Sequence, residues 1–250
     1  MPIPPAHLQH IQAIRKFISS GGAGGASDPG LHLLIHKLFQ NPDKIVSDAE
    51  TLDAILALVV EFEAYRGKGS QYGIREFYQR LSGLYYHAPI DPPEPEKRDG
   101  KFPTEVTDPP SPASAIPWFE KLSGYFFQRV QGSPVRSQRA GYLRRMAWDA
   151  LGDLSRLVRH PEHLAHAQIV AADSRAAEQE REGAVMFMSE YWAGEEPDQA
   201  TAELLWKLEK NPPSREFLVT VLQAQIDLDL NNEFGALNAV EEWDDAQEEE

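Results

Sequence analysis

Apolar residues recur at spacings of three and four along almost the whole chain, and stretches that alternate apolar and polar residues at every second position are hard to find. Spacings of three and four line up side chains on one face of a helix, whereas a half-buried strand needs a period of two. The expected class is all-α. Ten or eleven helices of ordinary globular length fit between the breaks, and the expected architecture is an irregular multi-helix stack, either α-solenoid-like or an orthogonal bundle.

The breaks have local causes. Leu8, Ile11, Ile14 and Phe17 form one stripe that stops at Ser20-Gly21-Gly22, where glycine makes helix continuation costly. A second stripe of Leu31, Leu34, Ile35 and Leu38 ends before Asn41-Pro42, because proline disfavours helix in the residue before it. Ser47-Asp48-Ala49-Glu50 matches a capping box and predicts a helix start at Ser47. The next helix carries Leu52, Ile55, Leu56, Leu58, Val59, Val60, Phe62 and Tyr65 around most of its circumference, which predicts a central place in the first half. A fourth, from about Gln71 to Tyr86, supplies Ile74, Phe77, Tyr78, Leu81, Leu84 and Tyr85.

Between Ala88 and Pro117 lie nine prolines and nine charged residues with few large apolar groups, a composition that cannot repay the entropy of ordering. This gives an N-terminal helical region over 1–88, a proline-rich linker or long surface loop over 89–115, a C-terminal helical region over 116–243 and an acidic tail over 244–250. In the C-terminal region, helices are expected from Trp118 to Gly132, after Ser133-Pro134, from Pro161 to Ala172, from Arg175 to Tyr191, from Pro197 to Lys210, from Ser214 to Leu230 and from Asn232 to Trp243.

Two breaks share a pattern. Lys37-Leu38-Phe39-Gln40-Asn41-Pro42 and Lys207-Leu208-Glu209-Lys210-Asn211-Pro212 both read Lys-Leu-x-x-Asn-Pro, each closing one amphipathic helix before another begins. The stretch from Asn211 through Pro212, Pro213 and Ser214 into the amphipathic run ending at Gln225 resembles the junction between helices of armadillo or HEAT repeats. The resemblance covers about residues 197–243 and, faintly, 31–65. It implies a stack of helices whose work is to bind another protein.

Charge is distributed unevenly. Residues 1–90 are balanced, with 8 basic and 8 acidic groups, and residues 116–170 carry 8 basic against 4 acidic. Residues 171–250 hold 5 basic and 21 acidic groups, a net of −16 in a chain whose total is −15. Such a field repels nucleic-acid backbones and anionic membranes and favours basic partners. The basic residues that stand out are Arg136, Arg139, Arg144, Arg145, Arg156 and Arg159 on one long segment. The economical expectation is that they answer acidic helices of the same chain; an external acidic partner ranks second and nucleic acid third.

Catalytic motifs are missing from the sequence. Gly21-Gly22-Ala23-Gly24-Gly25-Ala26 fits neither phosphate-binding glycine pattern, Gly69-Ser70 is not a nucleophile elbow, and Glu61 with Glu63, or Asp227 with Asp229, sit two apart and so face different sides of a helix. His32 with His36, and His160, His163 and His166, lie beside their apolar stripes and read as solvated boundary histidines, so neither metal nor cofactor is expected. Zero cysteines exclude thiolate ligands and fit a reducing compartment. The longest apolar run, Ala54 to Val60, is too short for a membrane span, which needs about 20 residues. The resulting expectation is an intracellular protein, cytoplasmic or nuclear, that acts as a scaffold or adaptor for a basic protein partner. The alternative is an enzyme or small-ligand binder whose site converges from distant helices.

Overall fold

A computed structural model of the chain describes residues 5–21, 28–42, 45, 48–67, 69–84, 116–133 and 135–248. Among them are eleven α-helices and no strand: α1 Pro5–Ser19, α2 Asp28–Leu38, α3 Ala49–Ala64, α4 Ser70–Ser82, α5 Ile116–Val130, α6 Gln138–Ser155, α7 Pro161–Ala172, α8 Glu178–Tyr191, α9 Gln199–Lys210, α10 Arg215–Asp227 and α11 Glu233–Glu248. No described helix is long and apolar enough to cross a membrane. The proline-rich segment expected over 89–115 and most of the glycine loop after Gly21 lie outside the described residues. Two compact units divide the chain between Leu122 and Ser123, a point inside α5.

In the first unit, α1 to α4 close a core of Ile11, Ile14 and Phe17, Leu31, Ile35 and Leu38, Leu52, Ile55, Val59 and Phe62, and Ile74, Phe77 and Leu81. Phe62 and Phe77 meet edge to face with centroids 5.4 Å apart. The expected stripe of α1 is off by one residue at its start, because Leu8 is exposed and His7 is buried in its stead. Likewise Val60 is half exposed on α3. Asp48 caps α3, its carboxylate accepting from the Glu50 amide at 3.3 Å and from the Thr51 hydroxyl at 2.5 Å, so the helix begins at Ala49; the expected cap residue Ser47 lies outside the described residues. Arg15 holds α1 to α3 through both carboxylate oxygens of Glu61.

The second unit has an internal register. Arg144 meets Glu180, 36 residues on, and Arg156 meets Glu190, 34 residues on. An offset that is nearly constant from one end of the contact to the other means that α6 and α8 run in the same direction. The same holds one step further along the chain. Ser214 bonds Glu178 across 36 residues and Ser189 bonds Asp227 across 38, so α10 runs parallel to α8. Between these three helices run α7 and α9, which also touch at a similar offset, Gln168 to Thr201 across 33 residues at 3.0 Å. The last turns of α5 stack on α7 in the same way, with the ring of His166 bonded to the Val130 carbonyl across 36 residues. The unit is thus a stack in which α6, α8 and α10 form one layer and the end of α5, α7 and α9 the other, with α11 packed against α10.

Most helix ends in this unit have a local cause. Ser137, Asp198 and Ser214 each accept from a backbone amide three residues on, and Pro161 occupies the first position of α7, where its missing N–H costs nothing. Asp229 has a left-handed φ of 55°, which stops α10 at Asp227, short of the expected Leu230. Past Trp243 the chain does the opposite, and α11 continues into the expected acidic tail as far as Glu248.

The central helix is α8, buried without interruption from Glu180 to Val185 and again at Phe187 to Ser189. Its approach to α6 depends on Gly183, where a Cβ would lie 2.8 Å from the Cα of Arg145 and 3.1 Å from the Cβ of Trp148. Gly183→Ala should therefore destabilise the second unit by about 1–3 kcal/mol in urea unfolding, the range for overpacking. Gly124→Ala on α5, with nothing within 4 Å of the new methyl, should stabilise by about 0.5–1 kcal/mol through helix propensity.

Candidate functional site

The charged groups of the second unit sort into a paired ladder and an open groove. Glu180 has no exposed surface and sits at the first rung, where Arg144 Nη1 donates to Oε1 at 2.5 Å and the Val135 amide donates to Oε2 at 3.0 Å. Arg144 also donates to the Gln131 carbonyl at 3.2 Å, and the Ala177 amide donates to the Val135 carbonyl at 2.8 Å. The carboxylate thereby ties the first turn of α8 to the loop before α6, and the Ala177 bond joins that loop to the one before α8.

Arg145 pairs with the nearly buried Glu182, Arg156 with Glu190 at 2.5 Å and Arg159 with Glu195 at 2.5 Å. Burial raises the Glu182 carboxyl above the ordinary carboxylate value, while Arg145 beside it pulls the other way. Of the six arginines singled out from the sequence, these four face carboxylates on α8 or just after it, Arg136 is exposed at the rim of the groove, and Arg139 lies half-buried in the first turn of α6.

A further buried arginine was not apparent from the sequence. Arg181 donates from Nε to the Ala171 carbonyl at 3.0 Å and lays its guanidinium 4.4 Å from the centre of the Phe217 ring, joining α7, α8 and α10. Desolvation lowers its pKa, with Glu178 and Asp173 opposing. The signal available in the sequence was the charge-dense turn from Glu178 to Glu182 running straight into Gly183-Ala184-Val185, since a helix apolar on every side must bury its charged positions too.

The groove lies at the N-terminal ends of α6, α8 and α10 and has a volume of about 780 Å³. Three arginines, Arg136, Arg145 and Arg215, and three glutamates, Glu178, Glu182 and Glu216, line it. Two of these arginines are engaged, Arg145 by Glu182 and Arg215 by Asp244 of α11 at 3.0 Å.

The histidines divide. His163 is buried, a correction to its reading as a solvated boundary residue: its ring stacks on Phe127 with centroids 3.9 Å apart, and burial lowers its pKa to about 4. His160 caps α7 and packs against His163 at 4.6 Å between centroids. His32 and His36 stack at 6.1 Å near the surface of the first unit.

Apolar exposure is also uneven. Of the large apolar side chains that the second unit exposes, Ile169 lies on α7, Trp206 on α9, Val219 on α10, and Phe234 and Leu237 on α11. Phe234 is 74% exposed and Leu237 62%. The opposite side of α11 is covered, with Ala236, Ala239, Val240 and Trp243 against Leu218, Leu222 and Ile226 of α10. No protein family, curated protein or solved structure matches the chain.

Removing a partner from a fully buried ion pair is far more damaging than removing one from an exposed pair. Glu180→Ala should cost about 3–5 kcal/mol of stability, and Glu190→Ala about 0–1 kcal/mol. Salt separates the two further. In about 1 M NaCl, where screening acts over about 3 Å, the loss in Arg156→Gln should shrink while that in Arg144→Gln persists. Thermal and urea unfolding followed by circular dichroism check both comparisons.

Proposed function

We propose that this chain is a protein-interaction module, a scaffold or adaptor, whose acidic second unit docks a basic, partly apolar segment of a partner on the outer face of α11. The observation that carries the reading is the outer stripe of α11. Phe234 and Leu237 stand one turn apart in solvent, and Glu241 and Asp245 follow on the same stripe at helical spacing, all exposed. Two apolar anchors followed by carboxylates suit an amphipathic helix with basic residues beyond its apolar face. Burying the two side chains supplies about 1.5–3 kcal/mol each.

The stacked register supports the same reading. Helices layered at a near-constant offset present one layer as an extended surface, the arrangement that the resemblance to armadillo and HEAT repeats implies for the junction at Asn211-Pro212-Pro213. The net charge of residues 171–250 selects a basic partner and disfavours a second copy, whose acidic helix would face this one. Carboxylate partners on Arg144, Arg145, Arg156 and Arg159 argue against a phosphate backbone as the ligand. The absence of cysteine favours a cytoplasmic or nuclear setting.

The competing reading, a ligand site converging from several helices, has the groove beside Glu182 in its favour. The pairing of Arg145 with Glu182 and of Arg215 with Asp244 leaves it little free charge for a substrate, so the interaction module is preferred.

The test is affinity capture from cell extract with the wild-type chain and with the double variant Phe234→Ser, Leu237→Ser, followed by quantitative mass spectrometry. Basic proteins should be enriched by the wild type and lost with the variant, while the helical circular dichroism of the two proteins is unchanged. Enrichment that ignores the two substitutions, or none above control, would reject the reading.

A further inference from the structure

We propose that His160, Glu162 and His163 form a binding site for one divalent transition-metal ion of zinc-like chemistry. One ligand atom from each of the three residues lies within 4.8 Å of the others, and His160 Nδ1 is 3.5 Å from Glu162 Oε1. Zinc bound at about 2.0–2.1 Å with tetrahedral angles holds its ligand atoms about 3.3–3.4 Å apart. One edge of the ligand set is therefore formed already. The edge from Glu162 to His163 closes by rotation of the exposed Glu162 side chain, and the edge between the two imidazoles by a small turn of the partly exposed His160 ring.

Local structure brings the two imidazoles together. His160 is the N-cap of α7, in extended backbone with φ −120° and ψ 112°, and His163 is three residues on. A capping box uses the same two positions, each side chain reaching the backbone amide of the other residue, and here the two rings come within 4.6 Å between centroids. Pro161 between them holds the first helical residue in helical φ. The His163 ring is clamped against Phe127 and cannot turn away to solvent. His166 is committed elsewhere, to the Val130 carbonyl at 2.9 Å, and is not counted as a ligand.

Imidazole nitrogens with a carboxylate oxygen suit a borderline ion and not magnesium or calcium, which prefer all-oxygen shells. Three protein ligands leave a fourth position for water. The positive end of α7 and the nearby Arg159 oppose a cation, although Arg159 is already held by Glu195 at 2.5 Å. Binding weaker than that of a four-ligand structural site is the consequence.

The experiment is calorimetric titration of zinc chloride into the metal-stripped full chain. A single saturable site is expected, and His160→Ala and Glu162→Gln, both on partly or fully exposed side chains, should each weaken it by about 10-fold or more. His36→Ala, in the exposed histidine pair of the first unit, should leave it unchanged, and circular dichroism should show every variant folded. No saturable binding, binding that survives the double variant His160→Ala, Glu162→Gln, or binding that disappears with His36→Ala would each overturn the proposal. The outcome is independent of whether α11 docks a partner.

Discussion

A carboxylate without any exposed surface sets the terms for the second unit. Burying an ion costs several kcal/mol even after relaxation, and that cost is offset only when a counter-charge and further hydrogen bonds take its lone pairs. Glu180 has both, from Arg144 and from the Val135 amide, and neither donor is on its own helix. Charge satisfaction therefore requires α6 to lie alongside α8 at one particular register. Gly183 is what allows the two backbones to come close enough.

Once that register exists, the rest of the stack follows from it. The α7 helix must fit between α6 and α8, where Arg181 reaches from α8 to its last turn. On the far side of α8, Glu178 receives Ser214 and Ser189 reaches Asp227, which repeats the offset for α10. In the layer of α6, α8 and α10, most of the singled-out arginines are thus engaged internally and large apolar side chains are nearly all covered. Exposed apolar groups collect outside that layer, above all on α11, which packs one face on α10 and leaves Phe234 and Leu237 in water. This division of surfaces motivates the reading as an interaction module.

Legibility from sequence was good wherever the governing physics is local. Apolar spacing located the helices, and capping and proline chemistry placed several of their ends, including the start of α7 at Pro161. Errors came where a neighbour in space overrode the local pattern. Leu8 carries the greater hydrophobicity, yet His7 occupies the inward position of α1. His163 reads as a boundary residue beside the apolar stripe of α7, and the ring of Phe127, 36 residues earlier, covers it. The acidic residues after Trp243 read as a tail, and they continue a helix whose inner face is already anchored on α10.

By itself the sequence determined an all-helical chain, the position of most helices and the excess of negative charge after residue 171, because periodicity, capping and composition are properties of near neighbours along the chain. Only the tertiary structure decided which charges are buried and with whom they pair. The glutamates at 178, 180 and 182 look alike in one acidic turn, yet one meets a serine, one is sealed with an arginine 36 residues away and one lines a groove with its own arginine partner. Those fates depend on the offset between parallel helices, a distance in space that no local pattern encodes.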